Sequence, residues 1–168
     1  PGLLQSPSYL RAVISEGDGI LWTASTTERE ERITYRLKRQ QKAWNSAEPG
    51  KHRYVLTEHA LNAMTMNRPD VMREQRKHIL DLLDSAKDLA VRVLPNQAHG
   101  NPSRDSGFVV FGFSDRAPSV GYSSAALGPS TYYDNQDDVA ILTRTFDRLW
   151  DIALNQRESR SFISREEK

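Results

Sequence analysis

Apolar positions recur at helical spacing in three long stretches of the chain, and at alternate positions in several short ones. Pro7 falls in the first turn of a short helix that Ser6 can cap, with Tyr9, Leu10, Val13 and Ile14 on one face, and Glu16-Gly17-Asp18-Gly19 ends it. The spacing predicts a longer helix from Thr27, where Thr27 and Glu30 stand at the separation of a capping box and Ile33, Leu37 and Trp44 form the apolar stripe. Glu28, Glu30 and Glu31 lie at its positive end and Lys38, Arg39 and Lys42 near its negative end, as the macrodipole favours. After a Glu48-Pro49-Gly50 turn, the β-branched and aromatic content of Arg53 to Glu58 predicts a strand. With Pro69 in its first turn, a second long helix covers Val71 to Ala86, its stripe Met72, Ile79, Leu82, Leu83 and Ala86, with Gln75 and His78 beside it.

The second half changes period. Leu89 to Leu94 reads as a strand stopped by Pro95, Gly107 to Phe113 as another, and Ser119 to Ser123 and Ser130 to Tyr133 as two shorter ones, an antiparallel meander. Asn96 to Ser106 is the long loop between the first two. Alternation puts Phe108, Val110 and Gly112 on one side and Val109, Phe111 and Phe113 on the other, so both faces of that strand are expected to be covered. Asp134 or Asn135 caps a third long helix carrying Val139, Leu142, Phe146, Leu149, Trp150 and Ala153, Arg157 to Ile163 forms a last short helix or ordered tail, and Glu166-Glu167-Lys168 frays. The fold class expected is α+β: one domain over residues 1–168, with a mostly antiparallel sheet of about four to five strands packed against three longer helices.

Composition narrows the function classes. The 168 residues contain no cysteine, which excludes a disulfide framework, a thiol nucleophile and cysteine-ligated zinc or iron–sulfur centres. With 23 basic and 22 acidic residues the formal charge is +1, which argues against nucleic-acid binding by a broad cationic field. No stretch approaches the roughly 20 apolar residues that cross a bilayer, so a soluble, cytoplasmic protein is expected. The first residue is Pro1, so processing or a longer gene product is expected upstream.

Catalytic patterns are missing. Gly17-Asp18-Gly19 lacks the later glycine and the strand of a dinucleotide turn, Gly50-Lys51 lacks the rest of a Walker loop, and Ser103-Arg104-Asp105-Ser106 is not a nucleophile elbow. Asp137 and Asp138 are adjacent on a helix and diverge, and His52, His59, His78 and His99 share no zinc-site spacing. The sequence therefore predicts no enzyme, no cofactor and no metal.

The polar residues that stand out are few. Arg36 and Gln40 share the apolar side of their helix, and alternation points Glu58 the same way as Tyr54 and Leu56. Either Arg36 lays its stem on the core and pairs with a carboxylate, with Glu58 bonded to Arg36 or Arg39, or the group Arg36, Arg39, Gln40 and Glu58 faces a pocket or partner. Tyr122 joins the candidates, and with Trp22, Tyr132 and Tyr133 it can either fill the core or line an apolar cavity.

Several segments in one order carry a resemblance. They are Pro1-Gly2-Leu3-Leu4-Gln5-Ser6-Pro7-Ser8-Tyr9 with Arg11-Ala12-Val13; Glu31-Arg32 followed by Arg36-Leu37-Lys38-Arg39-Gln40; and Val55-Leu56-Thr57-Glu58-His59-Ala60-Leu61. Val71-Met72-Arg73-Glu74-Gln75, Val91-Arg92-Val93-Leu94-Pro95, Phe146-Asp147-Arg148-Leu149, Ala153-Leu154 and Glu158-Ser159 continue it. Together they resemble the domain of unknown function that follows the helix-turn-helix in many actinobacterial XRE-type, antitoxin-like transcriptional regulators. The resemblance implies an effector domain that binds a small partner protein or a small-molecule effector, admits a homodimer, and reaches DNA only through helices preceding Pro1. It also implies a role in development or secondary metabolism. The sequence departs from that pattern at His59, at Asn62-Ala63-Met64 and at Ser123-Ser124. A different reading is a standalone small-molecule-binding protein or enzyme recruited to secondary metabolism.

Overall fold

The computed structural model of the chain describes residues 1–20, 23, 25–46, 50–64, 67–103, 107–113, 116–125 and 129–165. The predicted Glu48-Pro49 turn, Trp22, the Arg104-Asp105-Ser106 run and the fraying end at 166–168 lie outside them. A short 3-10 turn, Gly2–Leu4, leads into α1 (Pro7–Gly17), α2 (Thr26–Trp44), β1 (His52–Thr57), α3 (Glu58–Asn62), α4 (Pro69–Ser85) and β2 (Leu89–Leu94). There follow β3 (Phe108–Phe111), β4 (Val120–Ser123), β5 (Thr131–Tyr133), α5 (Gln136–Ile152) and α6 (Gln156–Ser164). Among the described residues no helix is long and apolar enough to cross a membrane. The chain divides into two compact units, Pro1–Asn96 with Leu154–Lys168, and Gln97–Ala153.

The α+β class holds, but the expected single, mostly antiparallel sheet of four to five strands does not form. Among the described residues there are two small sheets instead, β1 with β2 parallel and β3-β4-β5 antiparallel. Two physical causes separate them. First, α3 and α4 lie between β1 and β2, and a strand–helix–strand crossover returns the second strand alongside the first in the same direction, here with Tyr54 opposite Val91 and Leu56 opposite Val93. Leu89, Val91 and Val93, on one face of β2, are buried, while Ala90 and Arg92 on the other are partly buried. Second, the other edge of β2 is already occupied. The Val93 amide donates to the Ser159 hydroxyl at 3.0 Å and the Val93 carbonyl accepts from the Leu154 amide at 2.9 Å, leaving no site at Val93 for β3 to pair.

The first unit is built around the core Leu4, Leu56, Leu61, Ile79, Leu89, Val91, Val93 and Ile163. Its buried polar side chains bind the chain ends to that core. Gln75 accepts from the Ser6 amide at 2.7 Å and donates to the Leu4 carbonyl at 2.6 Å. Gln40 donates to the carbonyls of Gly2 and Gln5, and the Trp44 indole N–H to that of Leu3. Arg76 donates to the carbonyls of Phe162, Ile163 and Arg165 at the end of α6, and to the Asn62 side chain.

Helix starts follow the expected chemistry with one shift. Ser6 and Asn135 cap α1 and α5 as read from sequence. The capping box of α2, however, is Ser25 with Glu28, not Thr27 with Glu30: Ser25 Oγ accepts from the Glu28 amide, and Glu28 accepts from the Ser25 amide at 2.7 Å. The two boxes have identical spacing; the earlier start lengthens the helix and lets Arg29 pair with Asp18 at 2.8 Å. Ser25→Ala is expected to lower stability by about 1 kcal/mol and Thr27→Ala by under about 0.5 kcal/mol, compared by urea unfolding; equal losses would restore the later box.

In the second unit, opposed residues share a face: Val109, Tyr122 and Tyr132 on one side, Val110, Gly121 and Tyr133 on the other. The second side is the one α5 covers, because a Cβ on Gly121 would run into Leu142 of that helix.

Candidate functional site: an open aromatic sheet face and an arginine ridge

The expectation that both faces of β3 are covered is not met. Across the face that α5 leaves uncovered, Val109 is 41% exposed, Phe111 45% and Tyr132 69%, and Phe113, just past the strand, is 46% exposed. Tyr122 and Val120 lie half-buried between them. The Tyr122 and Tyr132 rings stand 5.1 Å apart and tilted by 56°, and the Tyr122 hydroxyl is 3.0 Å from that of Ser130. Stiff aromatic side chains anchored this way present apolar area with little entropy left to lose. Clustered exposed apolar side chains of this kind mark interaction surfaces more often than they occur on an idle surface. Alternation revealed which residues share the face; their exposure could not be read from it.

The other sequence candidates sit in the first unit and do not act as one group. Gln40 is buried and spends its amide on Gly2 and Gln5. Glu58 does not end a strand: Thr57 caps α3 by accepting from the Ala60 amide, so Glu58 is the first helical residue, and it accepts from the Asn96 amide at 2.9 Å. Local capping by Thr57 overrides the β-propensity of the segment, and the expected Glu58 pairing with Arg36 or Arg39 is not made among the described residues.

Arg36 and Arg39 remain. With Arg32 they stand at i, i+4 and i+7 along one side of α2. Arg36 is half-buried, and its pKa is held below the ordinary arginine value by that burial first, then by the neighbouring charges of Arg39 and Arg32. The expected carboxylate partner is missing: among the described residues no ion pair or hydrogen bond reaches Arg36 or Arg39. The end of the exposed Arg39 side chain passes close to Gly2, where a Cβ would stand 2.5 Å from its guanidinium. Its charge also bears on Tyr54, whose hydroxyl burial pushes up to about 12 against the pull of Arg39. Between Arg32 and Tyr54 the sequence has seven basic residues and one acidic one, in a chain whose total charge is +1. The near-neutral total therefore conceals a local concentration of positive charge.

Two depressions on the described surface run along α2, past Thr27, Glu31 and Tyr35, and along α6, past Arg157, Ser161 and Phe162, and both are open to solvent. Among the described residues no group of three or more histidine, aspartate or glutamate side chains is placed to hold a metal ion. No curated protein and no solved structure matches the chain. A family model does, the domain of unknown function DUF5753, over residues 1–165, and the chain belongs to that family.

Proposed function

We propose that this chain is the partner-sensing domain of a DNA-binding transcriptional regulator of the XRE helix-turn-helix, antitoxin-like kind found in actinobacteria, and that what it senses in the cytoplasm is a small protein. The regulator half of this reading rests on the ordered segments from Pro1 to Ser159 that resemble such effector domains. The sensing half rests on one observation, the open face of the β3-β4-β5 sheet with Val109, Phe111 and Tyr132 exposed on it. Apolar side chains exposed on a sheet face suit a protein better than a metabolite, since small ligands are held in concave sites that bury most of their surface. DNA contact belongs to helices upstream of Pro1, which agrees with a domain whose overall charge is only +1.

The test uses the full gene product and the small protein encoded beside it. The wild type is expected to form a complex, and Phe111→Asp to weaken it about tenfold or more while leaving the melting temperature within a few degrees, because Phe111 is already exposed. The full gene product is also expected to bind its own promoter with a steep salt dependence. A complex unaffected by Phe111→Asp would remove the sheet face from the account; a gene product without a helix-turn-helix would remove the regulator.

A further inference from the structure

We infer that the Arg36–Arg39 side of α2 is a second docking site, for an acidic segment of a partner protein. The inference rests on the partner-sensing reading and adds the chemistry of what is sensed. Its starting point is an imbalance in the free chain. Arg36 is half-buried beside two like charges, and neither it nor Arg39 has a hydrogen-bonded or ion-paired partner among the described residues. Desolvation and like-charge repulsion both disfavour such an arrangement unless an anion completes it. Three other arginines of this unit are paired internally: Arg11 with Glu30, Arg29 with Asp18 and Arg160 with Asp84. Arg36 and Arg39 form a contrast with these pairs.

Carboxylates match the geometry. Successive arginines along the ridge are spaced by about 5–6 Å at their Cβ atoms. Acidic residues one helical turn apart have the same spacing, and alternate residues of an extended strand, about 7 Å apart, come close to it. Each guanidinium can hold a carboxylate through two parallel N–H···O bonds, so one segment can engage both arginines at once.

A nucleic-acid backbone is the less suitable anion. From Arg32 to Arg39 the ridge is only about 10 Å long, whereas duplex binding by charge draws on roughly 6–10 phosphate contacts. On the same helix Glu28, Glu30 and Glu31 precede Arg32 within about one turn and would oppose phosphates continuing in that direction.

The experiment titrates the full-length protein with fluorescein-labelled octaglutamate and, separately, with a short DNA duplex, at physiological salt. Wild type is expected to bind the peptide with an affinity that falls as salt rises, and Arg36→Gln with Arg39→Gln to weaken it about tenfold or more. Arg36→Lys keeps the charge but not the fork, and is expected to weaken it severalfold. The control pair Arg144→Gln with Arg157→Gln makes the same change in net charge and is expected to alter the affinity less than about twofold. No binding by wild type, equal losses in the control pair, or peptide binding that survives the Arg36 and Arg39 changes would each overturn the inference. So would a duplex competing with the peptide at lower concentration through Arg36 and Arg39, which would assign the ridge to nucleic acid. Failure of complex formation with the neighbouring gene product, with octaglutamate binding intact, would sink the partner-sensing reading and leave the ridge standing.

Discussion

Arg76→Met is expected to lower the free energy of unfolding by about 3 kcal/mol, measured by urea titration at neutral pH. Arg76 is buried in α4 and its guanidinium donates to three carbonyls at the end of α6, at 3.1, 3.4 and 3.3 Å, and to the Asn62 side chain. It also lies 5.9 Å from the centre of the Phe162 ring. A hydrogen bond to a charged group contributes roughly 1.5–3 kcal/mol, and a carbonyl left unpaired in a partly buried setting costs about 1–3 kcal/mol. Several such groups are lost together, offset in part by the apolar volume methionine fills. The positive charge also sits at the negative end of the α6 dipole. Arg76→Lys is expected to recover less than half of the loss, because one ammonium cannot spread over three carbonyls and an amide. A loss under about 1 kcal/mol from Arg76→Met would mean that the Arg76 hydrogen bonds add little to what holds α6.

Gly121→Val should be about as damaging, in the second unit. A Cβ at Gly121 would overlap Leu142 and approach the Tyr133 Cβ to 3.2 Å, so the glycine is what lets α5 lie on the sheet. Relief requires the helix to lift or the side chains to leave their rotamers, at about 3 kcal/mol for valine. The decisive comparison is a double-mutant cycle. Removing the obstructing side chain with Leu142→Ala should make Gly121→Ala less costly by about 1 kcal/mol or more than it is in the wild type. Additivity would show that the contact between α5 and β4 is looser than the geometry indicates.

How much of this was legible from sequence depends on the range of the interaction concerned. Local chemistry read well: Ser6 before Pro7 and Asn135 before α5 act through amides two or three residues away. Ser25 was missed because Ser25-x-x-Glu28 and Thr27-x-x-Glu30 are the same signal twice, and the choice between them falls partly to Asp18 through Arg29. Glu58 was read one residue too far along its strand, although a threonine before Glu58 is itself a capping residue. The sheet topology was the least legible. The edge of β2 is closed by Leu154 and Ser159, more than sixty residues away, and no local pattern announces such a contact. Parallel pairing of β1 with β2 was nevertheless implied by the helix between them and by the nearly unbroken apolar run from Leu89 to Leu94.

The candidate site divides in the same way. Arg36 and Gln40 were singled out together as polar residues beside an apolar stripe, but the structure gives them opposite characters. Gln40 is satisfied by carbonyls of the first turn, and Arg36 has no such partner among the described residues. Arg76 and Ser159, the polar residues that tie α6 to the core, gave no sequence signal beyond Arg76 following Gln75 on the inner side of α4. For the aromatic face, alternation identified Val109 and Phe111 as sharing a side, while Tyr132 could join them only once the register of β4 with β5 was fixed.

The central claim is that a partner protein covers the open sheet face, and hydroxyl-radical footprinting of the full-length protein with and without the proposed partner tests it most directly. In the free protein Phe111, Phe113 and Tyr132 are exposed and should be oxidised readily, Tyr133 less so because it faces α5. In the complex, oxidation of Phe111 and Tyr132 is expected to fall about fivefold or more while that of Tyr133 changes little. A complex that forms with Phe111 and Tyr132 still as reactive as in the free protein would contradict the claim and place the partner elsewhere.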